Sequence, residues 1–250
     1  MKRKMDDVEP RGIPKEIEEK IKRRKQMTEL VFILDKSGSM AGMVQDTIGG
    51  FNAMLEQQKQ TEGIVYVSTV LFANTSQVLH DRKLLTTIQP LTKKEYQVGG
   101  CTALLDAIGE TIQHIGNIHK YARPEDVPAR TLFVITTDGM ENASRTYNSN
   151  QIKEMIREME TEKGWEFLFL ASNIDAVETA ERIGIGRDRA IDYAVESETR
   201  EMFEELSETI CEYRTRNAMP TSCKIRFEER IKARKTTNNK GENYDQRNQD

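Results

Sequence analysis

Soft metal ligands are scarce in this chain. It has three cysteines, Cys101, Cys211 and Cys223, widely spaced and without a Cys-x-x-Cys pair, and only three histidines. That argues against a disulfide framework or a zinc knuckle and fits a reducing, cytoplasmic compartment. Aromatic residues are 6% of the chain, with a single tryptophan, so a row of stacking platforms for RNA is missing and no nucleic-acid partner is expected. No apolar run is long enough to span a bilayer, which excludes a membrane partner at this level. Residues 1–27 mix charges of both signs and lack the apolar block of a secretory signal. No glycine-rich loop ends in Gly-Lys-Ser/Thr, and Gly184-Ile185-Gly186 lacks a third glycine in register, so neither a phosphate cradle nor a dinucleotide fingerprint is present.

What is there is charge, unevenly placed. The net charge is −4 over 250 residues. Residues 1–27 hold 10 basic against 6 acidic side chains, residues 224–250 hold 8 against 5, and the body between 28 and 223 holds 19 against 30. An acidic body repels nucleic acid and suits a cation site. The basic ends read as solvated tails.

The pattern predicts three parts: a charged leader and helix at 1–27, one domain at 28–213, and a basic extension at 214–250, polar and disordered from about 232. In the leader, Pro14 suits a first helical position, and Glu16/Lys20, Glu18/Lys22 and Glu19/Arg23 are favourable i,i+4 pairs. Ile13, Ile17 and Ile21 give that helix a thin stripe for weak docking. From Thr28 the rhythm is strand, loop, helix. Strands are expected at 29–35, 64–72, 77–84, 131–137, 166–171 and 190–194, the third as an edge or hairpin partner. Helices are expected at 43–60, 103–121, 150–163, 176–183 and 197–213. Gly49 and Gly50, inside the first of these, point to close packing against the sheet. This alternation implies an α/β fold, a doubly wound, mostly parallel sheet flanked by helices.

Three loops carry oxygen. Asp35-Lys36-Ser37-Gly38-Ser39-Met40 follows the apolar strand Val31-Phe32-Ile33-Leu34. Thr102 follows Gly99-Gly100-Cys101 at the start of a helix, and Asp138 ends the strand 131–137 in Thr137-Asp138-Gly139. In a doubly wound sheet, loops beyond the carboxyl ends of neighbouring central strands converge on one crevice. Asp35, Ser37, Ser39, Thr102 and Asp138 would there offer hard oxygens, which select Mg²⁺, Mn²⁺ or Ca²⁺ over zinc or copper. The plainer reading, serines that cap the next turn, fits the first motif alone. It does not account for all three motifs in order. Glu141, Asn142 and Asn173 fall on the expected rim. Lys36 is expected to face solvent, Asp106 to favour its helix dipole, and Cys101 to be a small buried thiol. His114 and His119, five residues apart, cannot ligate jointly, and His80 stands alone.

This pattern resembles the von Willebrand factor type A (vWA) domain with its metal-ion-dependent adhesion site, over about residues 28–213. The resemblance implies a Rossmann-like fold. It implies that Ser37, Ser39 and Thr102 ligate the metal directly, and Asp35 and Asp138 partly through water. A cation so held keeps much of its charge and attracts an acidic side chain of a partner protein. Intracellular relatives of this fold work beside ring-shaped ATPases or in multiprotein assemblies, which makes such a component the expected partner. Without metal, one of Asp35 and Asp138 should have a raised pKa. The alternative, a Mg²⁺-dependent phosphohydrolase, would need an acid two residues after the nucleophile Asp35, where Ser37 stands. No enzymatic activity is therefore expected.

Overall fold

The computed structural model describes residues 14–172, 174–193, 199–216 and 218–220, together with 223, 225, 227 and 229. The tail expected from 232, and Asn173 of the expected rim, lie outside the described residues.

The chain forms a six-stranded sheet in the order β3-β2-β1-β4-β5-β6. The strands are β1 (Met27–Asp35), β2 (Ile64–Phe72), β3 (Ser76–Leu84), β4 (Arg130–Thr137), β5 (Glu166–Ala171) and β6 (Ala190–Asp192). All pairings are parallel except β2 with β3, an antiparallel hairpin at the edge. The helices are α1 (Lys15–Lys25), α2 (Val44–Lys59), α3 (Leu104–Tyr121), α4 (Ser149–Lys163), α5 (Ala176–Arg182) and α6 (Thr199–Arg216).

Every residue of β1 is buried, as a continuous apolar run at the centre of a doubly covered sheet should be. Leu30, Phe32 and Leu34 face α2 and α6, while Val31 and Ile33 face α3, α4 and α5. Phe32 and Phe203 flank Phe51 in edge-to-face contacts. Gly50 makes that approach possible, because a methyl there would lie 2.5 Å from the Phe203 ring. The close packing is thus against α6 and not the sheet, and Gly49, whose added methyl would meet nothing within 4 Å, takes no part in it.

The core runs beyond residue 213: Met219, Cys223 and Phe227 are buried in the α2/α6 layer. At the other end, Pro14 precedes α1 as its cap and is not its first turn. Of the thin apolar stripe, Ile13 lies outside the described residues, and Ile17 and Ile21 face solvent; α1 buries no residue. Polar contacts hold α1 instead, Lys20–Glu125 at 3.6 Å and Arg24 Nε donating to the Val127 carbonyl. No helix among the described residues is long and apolar enough to cross a membrane.

The connection from β1 goes to β2 on one side, and β4 lies on the other side of β1. The loops after β1 and β4 therefore diverge across a crevice at the carboxyl end of the sheet, where α/β proteins place their sites.

Candidate metal centre

Asp35 is the last residue of β1 and is wholly buried. Its Oδ1 accepts the Ser37 N–H at 2.6 Å, and its Oδ2 accepts the Thr137 hydroxyl at 2.6 Å. Asp138 follows β4 and is 3% exposed. Its Oδ1 accepts the Ser39 hydroxyl at 2.6 Å. Its Oδ2 is buried and has no hydrogen-bond partner. Ser37 Oγ and Ser39 Oγ are 3.1 Å apart.

The threonine loop is stitched into the same crevice. Gly38 N–H donates to the Gly100 carbonyl at 3.1 Å and Gly99 N–H to the Lys36 carbonyl at 2.9 Å. Gly100 has a left-handed φ of 82°, and a side chain there would collide with Asn74, which accepts the Cys101 N–H. Thr102 is clamped on both sides: its N–H donates to Asn142 Oδ1 at 2.9 Å, and its carbonyl accepts the Asn142 N–H at 3.0 Å.

One glycine reports where these oxygens point. A methyl on Gly139 would lie 3.1 Å from Thr102 Oγ1, 3.2 Å from Ser39 Oγ and 3.9 Å from Ser37 Oγ. Three hydroxyls from two loops thus converge on one small space beside Asp138. The backbone of Gly139 is not left-handed. What requires glycine here is the space and not the turn.

Both acids titrate abnormally. Burial pushes the Asp35 carboxyl up, against the hydrogen bonds from Thr137 and Ser37, and the charge of Asp138 adds to the rise. Burial likewise pushes Asp138 up, opposed by Ser39. Neither acid joins an ion pair among the described residues. Groups of three or more His, Cys, Asp or Glu that could hold a metal are absent among the described residues. The donor set is therefore two acids and three hydroxyls, which fits a hard divalent cation such as Mg²⁺ or Mn²⁺. The orphan oxygen and the space at Gly139 are the features such an ion would fill.

The structure brings Asp35, Ser37, Ser39, Thr102 and Asp138 together. Of the expected rim, Glu141 is half-buried and Asn142 is exposed, and both also make bonds that hold the site together. Glu141 accepts four hydrogen bonds, from the N–H groups of Leu105, Ala143 and Ser144 and from the Ser144 hydroxyl. It therefore caps α3, and Asn142 positions Thr102. Asp106 does more than favour its helix dipole: it accepts the N–H groups of Arg145, Thr146 and Tyr147. Burial would raise its pKa, but these three donors prevail and lower it. Lys36 is partly exposed and reaches Gln77 on β3 at 2.7 Å. Cys101 is exposed and not buried. Sequence reasoning missed two supports. Thr137 lay inside a motif already singled out. Tyr96, which is buried and donates to the Asp35 carbonyl, had no signal in the sequence.

A family profile described as VWA domain containing CoxE-like protein matches residues 10–175. No curated protein matches the chain. Among solved structures, proximal thread matrix protein 1 from the mussel byssus aligns with a TM-score of 0.51 and 14% identity, over 74% of this chain and 46% of that one. The form of that mussel protein described as having a zinc occupied MIDAS motif aligns at 0.49 and 14%, over the same shares. The ArnB paralog VWA2 from Sulfolobus acidocaldarius aligns at 0.45 and 17%, over 75% of this chain and 44% of that one. The chain thus spans less than half the length of these structures. At such identities the likeness concerns the fold alone.

Proposed function

Because the chain belongs to the VWA domain containing CoxE-like family, we propose that it is a metal-dependent protein-binding module. Ser37, Ser39 and Thr102, with Asp35 and Asp138, would hold Mg²⁺ or Mn²⁺, and the ligand is an acidic side chain of a partner protein within a multiprotein assembly. The observation that carries this is the convergence of three hydroxyls on the space at Gly139, beside the unpartnered Asp138 Oδ2. A hard cation held mainly by neutral oxygens supplies an electrophilic position that draws one further carboxylate.

The chain's own residues prepare that position. Asp35 is fixed by Ser37 and Thr137, so it braces the loop. Both its oxygens being engaged supports binding and not nucleophilic attack on phosphorus. Glu141 and Asn142 tie α3 to the loop after β4, which holds Thr102 against Asp138. None of the three cysteines is joined in a disulfide among the described residues, which supports a reducing compartment such as the cytoplasm.

The test is Gly139→Ala. Added Mg²⁺ should stabilise the wild-type chain against heat, by about 2.7 kcal/mol at a hundredfold excess over Kd. The alanine variant should fold and lose that response, because its methyl occupies the space the hydroxyls share. Partner capture from a lysate should be abolished by chelator in the wild type. Equal Mg²⁺ response in both proteins, or capture indifferent to chelator, would sink the reading.

A further inference from the structure

A second cavity of about 720 Å³ lies at the opposite pole of the sheet, between α3 and α4. That volume is in the range of small-molecule sites. His119 lines it with a side chain that is only 9% exposed. His119 Nε2 is 2.6 Å from Glu29 Oε2. Glu29 is wholly buried, a charge set into an otherwise apolar stretch of β1. Arg82 Nε reaches both its oxygens, at 3.1 and 3.2 Å.

This arrangement is costly. Arg82 has a φ of 48°, the one left-handed non-glycine backbone among the described residues, and it sits where the β2–β3 register shifts. Its guanidinium also donates to the Asp126 carbonyl and lies over the Tyr66 ring. Strain and a buried charge are spent on fixing one imidazole. The carboxylate, already facing Arg82, can only accept. So Nε2–H of His119 donates to it, and Nδ1 is the ring nitrogen left to a ligand.

We propose that this cavity binds a flat aromatic acid that carries a hydrogen-bond donor at the end remote from the acid. The donor meets His119 Nδ1. The ring lies against Trp165, Met155 and Met159, an indole and two polarisable thioethers. Trp165 is itself held, stacked on Phe133 and edge-on to His119. Among the lining residues the basic side chains Arg24, Lys120 and Lys163 outnumber Glu158 and Glu162, which selects the acid group. A slender molecule can reach a recessed imidazole, whereas a partner helix laid across the mouth cannot.

Trp165 is the chain's one tryptophan and reports on the site directly. The probes are 4-hydroxycinnamate, which has both donor and acid, and cinnamate, which lacks the donor. Titration of the full chain should quench Trp165 saturably with the first. Cinnamate should bind about tenfold more weakly, as expected for one lost hydrogen bond at a buried site. Gly116 lines the cavity, and a methyl there would meet nothing within 4 Å. Gly116→Leu fills that space and favours the helix. It should keep or raise the melting temperature and abolish the quenching. Absence of saturable quenching, equal affinity for the two acids, or unchanged binding in Gly116→Leu would each overturn the proposal.

Discussion

At the carboxyl end of the sheet, Asp35 and Asp138 are buried among neutral donors, and one of their oxygens has no partner. At the other end of the same β1, Glu29 is buried between Arg82 and His119 with both oxygens engaged. The three acids are similar in burial and opposite in compensation. A carboxylate neutralised by its own chain is a fixed part of the fold. A pair left without a counter-charge is stable only at a cost, which an external cation can offset. The contrast separates a structural charge from a receptive one without reference to any relative.

The contrast predicts effects of different size and sign. The largest falls on the compensated end. Glu29→Ala removes the buried carboxylate that both the half-buried Arg82 and His119 face, and should cost about 3 kcal/mol in urea unfolding, with or without Mg²⁺. A cost below about 1 kcal/mol would show that the pair is not buried as described. At the receptive end, Asp138→Asn should leave the metal-free protein within about 1 kcal/mol of wild type, or more stable. The same substitution should remove the Mg²⁺ stabilisation entirely. If Asp138→Asn destabilised the metal-free chain as Glu29→Ala does, the two ends would be alike. The braces lie between these extremes. Asp106→Ala removes the acceptor of three N–H groups and should cost about 1 kcal/mol in all, because two of these bonds are exposed and the third part-buried, so that water replaces much of what is lost. It should also weaken the Mg²⁺ response, because Thr102 is then held less firmly.

How much of this was legible beforehand depended on sequence distance. Asp35, Ser37, Ser39, Thr102 and Asp138 lie in short local motifs at strand and helix ends, and the fold brings them into one crevice. The strands Ile64–Phe72 and Glu166–Ala171 were placed to the residue, because runs buried on both faces end sharply in turn residues. The Glu29–Arg82–His119 cluster was not legible. Its members are 53 and 90 residues apart, and a glutamate in a strand gives no sign of which cations will meet it. Glu141 was read as a rim residue because it follows Asp138. Only the fold shows that the start of α3 lies within its reach, 36 residues away in sequence. Gly49 and Gly50 looked equivalent and differ because one faces Phe203 and its neighbour meets nothing.

The smallest effect, on pH, tests the receptive end most directly. The ordinary carboxyl pKa is 3.8, and burial raises both Asp35 and Asp138 above it in the folded chain. A carboxyl with a raised folded pKa contributes stability that is fully present below 3.8 and is lost as the pH rises through the folded value. The metal-free protein should therefore gain stability at these two sites on mild acidification, contrary to the usual behaviour of carboxylates in ion pairs. Other groups titrate in the same window, His80 among them, whose pKa is lowered by burial and by Lys83. The difference between wild type and Asp138→Asn cancels them. In chelator that difference should move in favour of wild type as the pH falls from neutral towards the ordinary carboxyl value. In saturating Mg²⁺ it should move the other way, because protons then compete with the cation for the same oxygens. A difference that is flat with pH in chelator would mean that Asp138 is compensated after all, and the two ends of β1 would no longer be distinct.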